Sequence, residues 1–394
     1  MKVAIYSGSI TAPIFIENLI KSLTDQGIKV YLFGKNSSLV RYPSKNIYIF
    51  STPNHPMSIV RFVIVQMIRL FIKDTGKYMR ILKYFFMVKK IERINFFNWW
   101  GKVLPVVNHL PDVFHIQWAK SLPDWFFLKD LFGVKMVVSL RGAHINYTPL
   151  ANESVAKYYR LLFPEVDHFH AVSKSIAETA KIYGAPKQKI SVVYTGLNIN
   201  YLKKFKKTNW ERNIEFQFIS VGRHHWKKGY SVALSAIKNL LSKRIPLHYT
   251  IIARDEPTEE ILYQIYDLSL NENVTLLHPN SQEEVYQKMH LSDCLLLPSI
   301  EEGIANVVLE AMAIGLPVIS SDCCGMKEVI DHRGNGYLFR NRDVVQLTQT
   351  MIEMMNHNTE ERKIMVETAN ELIEKDYNIS RLGNEMNELY KLIY

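Results

Sequence analysis

Two glutamates in the segment PSIEEGIANVVLEAMAIGLPVIS, residues 298–320, have the types and spacing to do chemistry. Glu302 follows an apolar run, 294–297, which predicts a strand ending in a loop, and Glu310 falls one turn into the helix that this loop opens. Carboxylates accept hydrogen bonds from hydroxyl groups, and eight residues is a little over two helical turns, so both can face one cleft. The free amides of a loop and helix start also favour a bound diphosphate. Such a site suits a nucleotide-sugar.

Two cations follow a second apolar stretch, 215–221, in the segment SVGRHHWKKGY. A bidentate guanidinium at Arg223 and a mobile ammonium at Lys228 together suit a diphosphate better than either group alone. Gly222 and Gly229 relieve backbone crowding between them. Such a pair by itself is more typical of a solvated surface. Its coupling to the glutamate segment, about eighty residues later in the chain, favours anion binding.

The elements that must position these residues are strand-like runs alternating with helix-like stretches. In the first half the predicted strands are 3–6, 29–33, 46–50, 113–117, 135–140, 168–172 and 189–194. In the second half they are 215–221, 247–253, 274–277, 294–297 and 317–320. Two such alternations predict two doubly wound parallel sheets, whose ligands bind beyond the carboxyl ends of the strands.

Length and composition fit this organisation. A chain of 394 residues is too long for one ordinary core. We expect one domain over residues 1–202 and a second over 203–378, with the lysine-rich stretch 203–209 as a linker. A last helix is expected to begin near residue 379 and to return to the first domain. This third segment spans residues 379–394.

Cysteine usage and the first residues bear on location. The three cysteines, Cys294, Cys323 and Cys324, show no metal-ligand spacing and no typical bridge, which indicates a reducing compartment. The opening MKVAIYSG lacks the succession of regions that marks a signal peptide. A cytoplasmic location is the expectation.

The net charge of +10 is concentrated between Arg61 and Lys102, where ten basic residues face two acidic ones. This basic aromatic segment also holds many bulky apolar side chains, but its longest apolar stretch, 59–72, is short of the roughly 20 residues that span a bilayer. Its composition favours contact with an anionic membrane surface, and the alternative is a solvated basic face over ordinary core helices. Nucleic acid is disfavoured because no binding module accompanies the charge.

The motifs carry a family resemblance. VGR-x4-KG together with PS-x2-EG-x6-EAMA-x-G-x-PVI resembles the retaining glycosyltransferases of family 4, which have the GT-B architecture of two Rossmann-like domains facing a central cleft. The match is strong over residues 220–335. It extends more weakly through PDVFHIQW at 111–118, VVSLRGAHI at 137–145, AVSKSIAETA at 171–180 and KISVVYTGLN at 189–198.

The resemblance implies roles for individual residues. A UDP- or GDP-sugar donor would bind mainly to the second domain and the acceptor to the first. Arg223 and Lys228 would hold the diphosphate and stabilise its departure, Glu302 would lie beside the donor sugar, and Glu310 would accept from the ribose. The backbone at the donor phosphates would come from Gly8, Gly303, Ile304, Ala305 and Asn306. The family's retaining outcome implies front-face attack by the acceptor.

The chain departs from the family pattern on the first domain. Arg141 stands where the family often has a histidine at the reactive face of the sugar, with His144 in reserve. Alternatively, Arg141 only pairs with a carboxylate between the domains. The expected Gly-Gly of the first loop is reduced to Gly8.

Other departures concern the second domain. Glu328 resembles a family glutamate and could serve either ligand contact or structural pairing. His224, His225 and Trp226 follow Arg223, and a solvent-exposed loop is the favoured setting for the two histidines.

These observations predict a metal-independent hexosyltransferase without a cofactor, since no Asp-x-Asp pair is present to hold a divalent cation. We expect it at the inner face of the cell membrane, moving a hexose-type sugar to a glycan, with a lipid-linked saccharide of cell-envelope or exopolysaccharide assembly as the favoured acceptor. The alternatives are a sugar-nucleotide epimerase of the same architecture and a non-catalytic nucleotide-sugar-binding protein.

Overall fold

The computed structural model describes residues 1–10, 12–35, 42, 44–89, 95–211 and 214–394. They form two compact units. The first comprises Met1–Val172, Ala177–Val193 and Ser380–Tyr394, and the second comprises Ser173–Ile176 and Tyr194–Ile379.

The long segment of the second unit begins at Tyr194, before the expected boundary at residue 202. Leu197 and Leu202 are buried in the core of the second unit, which explains the earlier crossing. The stretch 203–209 is also not a linker. Lys207 is buried there, and its ammonium donates to the carbonyl oxygen of Ser292 at 2.5 Å.

Seven strands of the described residues form the parallel sheet of the first unit, in the order β3-β2-β1-β4-β5-β6-β7. The strands are β1 (Lys2–Ser9), β2 (Lys29–Lys35), β3 (Ile47–Thr52), β4 (Val113–Ile116), β5 (Lys135–Leu140), β6 (His168–Ala171) and β7 (Ile190–Val192). The helices between them are α1 (Ile14–Asp25), α2 (Pro56–Lys73), α3 (Thr75–Lys89), α4 (Phe96–Asn108), α5 (Leu122–Trp125), α6 (Phe127–Phe132), α7 (Gly142–Asn146), α8 (Thr148–Ala151), α9 (Glu153–Leu162) and α10 (Lys174–Ile182).

The second unit repeats this plan with a six-stranded parallel sheet among the described residues, in the order β10-β9-β8-β11-β12-β13. Its strands are β8 (Phe216–Val221), β9 (Leu247–Ile252), β10 (Val274–Leu277), β11 (Cys294–Leu297), β12 (Val318–Ser321) and β13 (Tyr337–Phe339). Its helices are α11 (Ile199–Leu202), α12 (Tyr230–Ser242), α13 (Glu259–Asp267), α14 (Gln282–Leu291), α15 (Asn306–Ile314), α16 (Val344–Asn356) and α17 (Thr359–Asp376).

Alternation along β11 shows why this sheet is covered on both faces. Leu295 and Leu297 join one core cluster with α15, whereas Cys294 and Leu296 join the other cluster with α12 and α16. All four residues are buried, as in strands of a doubly covered parallel sheet. The fold is therefore the expected pair of doubly wound, Rossmann-like sheets.

The last helix, α18 (Ile379–Lys391), packs into the first unit as expected. Leu382, Met386, Leu389 and Tyr390 lie in the same core cluster as residues of β1 and α1. Gly383 meets the helix α1 so closely that a Cβ there would lie 2.7 Å from the carbonyl oxygen of Ser22.

A buried chain of hydrogen bonds also joins α18 to the sheet. The Tyr390 hydroxyl lies 2.7 Å from His115 Nδ1, and His115 Nε2 lies 2.8 Å from Ser139 Oγ. Ser139 Oγ lies 2.9 Å from His170 Nδ1, and His170 Nε2 lies 2.9 Å from the Val193 carbonyl. Because the carbonyl can only accept, every hydroxyl and ring N–H must donate toward Val193, which fixes both histidine tautomers.

The two histidines of this hydrogen-bond chain, His115 and His170, are neutral. Burial, followed by the nearby imidazole and the Arg141 guanidinium, lowers the pKa of His115 well below its ordinary value. Burial and then Arg141 lower the pKa of His170 to about 3.

Candidate active site

Arg223 and Lys228 lie in the loop that leaves the carboxyl end of β8, as the sequence predicts. The loop is shaped by its glycines. A Cβ on Gly222 would lie 2.8 Å from Lys228 Cε, and a Cβ on Gly229 would lie 2.0 Å from the Pro298 carbonyl oxygen. Gly229 also has φ of +66°, a conformation that favours glycine. These contacts press the loop against the end of β11.

The loop after β11 meets this first loop directly. The Lys228 ammonium lies 2.5 Å from Glu302 Oε1, and both side chains are 14% exposed. The Ile300 amide donates to the Lys227 carbonyl at 2.7 Å, which fastens the two loops together through their backbones. Residues 74 positions apart thus form one charged cluster at the carboxyl ends of adjacent strands.

Glu302 is held ionised in this cluster. Burial raises the pKa of its carboxyl, but the ammoniums of Lys228 and Lys227 and hydrogen bonds from Lys228 and Ser299 lower it by more, so the pKa falls below its ordinary value. The Ser299 hydroxyl lies 3.5 Å from the oxygen that Lys228 contacts. Arg223 is exposed and lies five residues before Lys228 in the same loop.

Backbone amides at the start of α15 complete the cluster. Ala305 precedes the helix without a side-chain cap, and Asn306 is its first residue. Within the described chain, the amides of Gly303, Ile304 and Ala305 donate no hydrogen bond. Free amides with the positive end of the helix dipole can bind an anion, so this helix start, directly after Glu302, is suited to the predicted cradle.

Glu310 has a different neighbourhood from Glu302. It accepts a hydrogen bond from the Tyr286 hydroxyl of α14 at 3.2 Å, and no hydrogen bond or ion pair among the described residues joins it to Glu302. Burial raises the pKa of Glu310 to about 7, only partly offset by the hydrogen bond from Tyr286. The sequence contains no signal at Tyr286 that would have identified this partner.

The expectation that both histidines after Arg223 lie in a solvent-exposed loop is wrong for His224. This residue is 6% exposed, and its amide donates to both carboxylate oxygens of Asp255, at 3.1 and 3.0 Å. His224 Nδ1 also lies 2.9 Å from the Asp255 carbonyl. The aspartate beyond β9 thereby anchors the loop that carries Arg223. His225 is half-buried, and Trp226 is 55% exposed.

Glu328 adopts the structural pairing that the sequence left open. One of its oxygens accepts from the Ser175 amide at 2.9 Å. The other accepts from the Lys174 amide at 2.9 Å and from the Tyr194 hydroxyl at 3.1 Å. The carboxylate therefore caps the first turn of α10, where free amides and the helix dipole favour a negative charge.

Arg141 lies in the first unit, directly after β5. Its Nη2 donates to Gln117 Oε1 at 2.9 Å, and its guanidinium carbon lies 4.4 Å from the centre of the Phe15 ring. No carboxylate of the described residues pairs with it, so the structure gives no support within this unit to the carboxylate-pairing alternative. Gln117 directly follows β4 and Phe15 lies on α1, and no sequence motif marks either residue as a partner of Arg141.

His144 and Gly8 are the other first-unit candidates. His144 lies on the short helix α7, and the centre of its ring is 5.3 Å from the centre of the Trp118 ring. Gly8 has φ of +91° near the end of β1 and lines a cavity of about 250 Å³ with Tyr6, Gly34, Lys35 and Lys102. This cavity opens at the carboxyl ends of β1 and β2, where a doubly wound sheet binds its ligands.

The basic aromatic segment forms α2, α3 and α4, while its members Lys90, Glu92 and Arg93 lie outside the described residues. In the parts of the chain that the structure covers, no helix combines the length and the apolar character needed to cross a bilayer. Across the same residues, no group of three His, Cys, Asp or Glu side chains is arranged to hold a metal ion.

Comparisons with known proteins agree with the motifs. The model of glycosyl transferases group 1 matches residues 203–372, and the model of glycosyltransferase family 4 matches residues 12–201. The amylovoran biosynthesis glycosyltransferase AmsK of Erwinia amylovora is 29% identical over 252 residues, 62% of this chain and 61% of that protein. The putative colanic acid biosynthesis glycosyltransferase WcaL of Escherichia coli is 26% identical over 265 residues, 66% and 64% of the two chains.

The chain thus spans 61% and 64% of the length of these two curated relatives. A solved structure, HepE of Anabaena in complex with UDP, is similar in fold with a TM-score of 0.70 at 15% identity, over 99% of each chain. The two family models together account for most of residues 12–372, and the fold match extends over nearly all of the chain. This chain belongs to the family 4 glycosyltransferases and has the GT-B fold.

Proposed function

We propose that this protein transfers a hexose-type sugar from a nucleotide-sugar to a glycan acceptor in polysaccharide biosynthesis, with retention of anomeric configuration. The observation that carries the proposal is the cluster of Lys228, Glu302, Arg223 and the free amides before α15. HepE, which shares the fold, was solved with UDP and with UDP-glucose. The names of AmsK and WcaL refer to the biosynthesis of amylovoran and colanic acid.

The proposed reaction is the one that membership of family 4 implies, and the charges in this cluster suit it. The bond between the anomeric carbon and the diphosphate oxygen breaks, and the acceptor oxygen forms its new bond to that carbon on the same face. The acceptor proton passes to the departing phosphate. Arg223, Lys228 and the amides stabilise the negative charge that grows on the diphosphate, so they favour the transition state over the ground state.

Glu302 and Glu310 orient the two ends of the donor in this proposal. Glu302 accepts from hydroxyls of the transferred sugar while its neighbour Lys228 contacts the diphosphate. Glu310 accepts from the ribose hydroxyls. Two fixed cations take the role that a divalent metal ion takes elsewhere, so transfer proceeds without added metal and is unchanged by EDTA. Loss of transfer in EDTA that magnesium restores would contradict metal independence.

A titration of UDP and GDP, followed by their sugar derivatives, tests donor binding. Isothermal titration calorimetry should detect one of the two nucleotides, with affinity reduced about tenfold in Arg223→Ala, which loses a charge-assisted hydrogen bond. Lys243→Ala is the matched control, because Lys243 is an exposed cation at the other end of α12. If neither nucleotide binds, or if Arg223→Ala and Lys243→Ala behave alike, the diphosphate role of Arg223 is wrong.

The acceptor is proposed to be a lipid-linked saccharide bound by the first unit at a membrane surface. Helices α2 and α3 expose large apolar side chains among their cations, including Ile68, Phe71 and Ile72, which is 78% exposed. Arg61, Arg69 and Lys73 are exposed on α2. Apolar side chains inserted at the interface, with each nearby cation contributing about 1 kcal/mol toward anionic lipid, suffice for reversible docking.

Flotation with vesicles of phosphatidylglycerol and phosphatidylcholine tests this docking. The protein should float with them at low salt and less at high salt, because the attraction is screened. Ile72→Glu should reduce flotation several-fold, whereas Ile182→Glu, at a site 70% exposed on α10, should not. A protein that never floats would leave the basic aromatic segment as a solvated surface.

A further inference from the structure

Arg141 is a cation without a counter-charge in the described structure. It is half-buried, it has one hydrogen bond to the neutral amide of Gln117, and one face of its guanidinium stacks on Phe15. Its Nε is buried and donates to no partner within the described residues. The adjacent buried amide nitrogen of Gln117, a residue 0% exposed, is likewise without a partner there. Donors that lack acceptors therefore concentrate at the ends of β4 and β5.

Among the described residues, no acidic side chain acts on the charge of Arg141. Behind it on the sheet are the neutral imidazoles of His115 and His170, both of which feel its positive charge. Burial lowers the pKa of Arg141 to about 9, and no acidic group opposes this change. A desolvated cation without a counter-charge costs free energy, and an anionic ligand would offset this cost.

Lys228 and Arg141 differ in whether the protein supplies a counter-charge. Lys228 has Glu302 as a built-in counter-charge, whereas Arg141 has a neutral amide as its acceptor and a buried Nε with no partner among the described residues. The Phe15 ring and the Gln117 amide hold the guanidinium, whose forked N–H groups suit a carboxylate or a phosphate.

We propose that Arg141, positioned by Gln117 and Phe15, forms a subsite for an anionic group of the substrate, either a carboxylate on a sugar or a phosphate on a lipid carrier. The inference rests on the proposed function for its choice of substrate. It adds that one substrate is negatively charged at a point separate from the donor diphosphate. Arg141 then confers specificity for acidic substrates.

Two matched ligand pairs test the subsite without any nucleotide. Saturation-transfer NMR would compare D-glucuronate with D-glucose, and geranyl diphosphate with geraniol. The wild type should bind the anionic member of one pair at least tenfold more tightly than the neutral member, and Arg141→Gln should abolish that difference. Arg141→Lys, which keeps the charge but not the fork, should keep part of it. Preference within the first pair assigns a sugar carboxylate, and preference within the second assigns a lipid phosphate.

Arg160→Gln is the control for a general loss of positive charge. Arg160 is exposed, already pairs with Glu153 at 3.3 Å and stacks against Tyr183, so its loss should leave both pairs unaffected. If the anionic ligands show no advantage, or if the advantage survives Arg141→Gln, the subsite does not exist.

Thermal unfolding distinguishes the subsite from a structural role. Arg141→Gln removes a cation that lacks a counter-charge, so the Tm should stay unchanged or rise. A fall of more than about 5 °C would show that Arg141 mainly supports the fold, and would overturn the proposal. Failure of the proposed function has a separate signature, since UDP and GDP would then not bind to the wild type or to Arg141→Gln.

Discussion

Glu302 and Glu310 are carboxylates eight residues apart in one segment, yet the fold treats their charges in opposite ways. Glu302 is compensated by the ammonium of Lys228, which keeps its pKa low despite burial. Glu310 has only a phenol hydroxyl for a partner, and burial raises its pKa to about 7. The difference teaches that ionisation at this site is decided by a partner on another strand loop or helix, and not by the local segment. Glu302 is ionised before a ligand binds, whereas Glu310 becomes ionised when hydroxyl groups of a ligand donate hydrogen bonds to it.

Lys228→Ala should have the largest effect, because it removes the nearest counter-charge of Glu302 and leaves only Lys227 and Ser299 to stabilise the buried carboxylate. We expect kcat to fall by about 10²–10³ from the loss of a cation at the leaving group. We expect stability to fall by about 3 kcal/mol from an unpaired carboxylate. Urea unfolding and initial-rate measurements, with Lys243→Ala alongside, would show both effects. The double variant Lys228→Ala/Glu302→Gln should regain most of the stability and none of the activity.

Glu310→Gln tests the other side of the comparison. The folded-state pKa of Glu310 lies near 7, above the ordinary 4.5, so the folded protein binds a proton more tightly than the unfolded chain. The resulting contribution to stability is fully present below about pH 4.5 and is lost as the pH rises to about 7.

Glu310→Gln should therefore be more stable than the wild type at pH 8, by up to about 3 kcal/mol, and should lose this advantage near pH 4.5. Urea midpoints measured at both values would check it. If the difference in urea midpoint between Glu310→Gln and the wild type stays constant from pH 4.5 to pH 8, the pKa of Glu310 does not lie near 7.

Glu328 adds a third carboxylate, one satisfied by two amides and a hydroxyl. Glu328→Ala should reduce stability by about 1–2 kcal/mol, because the start of α10 loses its cap. UDP affinity should remain unchanged, in contrast to Lys228→Ala. The control is Glu371→Ala at an exposed position of α17. A weakened UDP affinity in Glu328→Ala would return this residue to the ligand contacts.

The smallest expected effect is the release of a fraction of a proton when UDP binds. If ribose hydroxyls bind the ionised form of Glu310, UDP binding at pH 6.5 should release protons, since they favour the charged carboxylate. Calorimetry in two buffers with different ionisation enthalpies would measure the release. It should disappear in Glu310→Gln. Release that persists in the variant would come from another group.

Much of the architecture was predictable from the sequence because it rests on local apolar runs. The bounds of β5, β10 and β11 were predicted to the residue. The short strand β13, with three residues, was not predicted because it is too brief to show a period. The last helix was expected near residue 379 from the helical, polar character of the chain after about residue 344, and residues 380–394 belong to the first unit.

The candidate site shows the same contrast between features with a local sequence pattern and features without one. Glu302, Lys228 and the amides before α15 lie in two contiguous segments with recognisable motifs, and the structure brings these segments together. The partners that set the charges come from distant elements without a motif. Tyr286 raises no local signal, and neither do Gln117 and Phe15 around Arg141. Burial of His224 was missed because Asp255, which holds it, follows another strand.

The packing of α18 has a consequence for synthesis of the protein on the ribosome. Domains tend to fold in the order in which they emerge, from the N-terminus onward. Here residues 380–394 belong to the first unit, and Tyr390 closes the hydrogen-bond chain that starts from β4. The first unit therefore begins to emerge before the second but is completed after it. Its exposed core must remain competent for α18 while nearly two hundred further residues are translated.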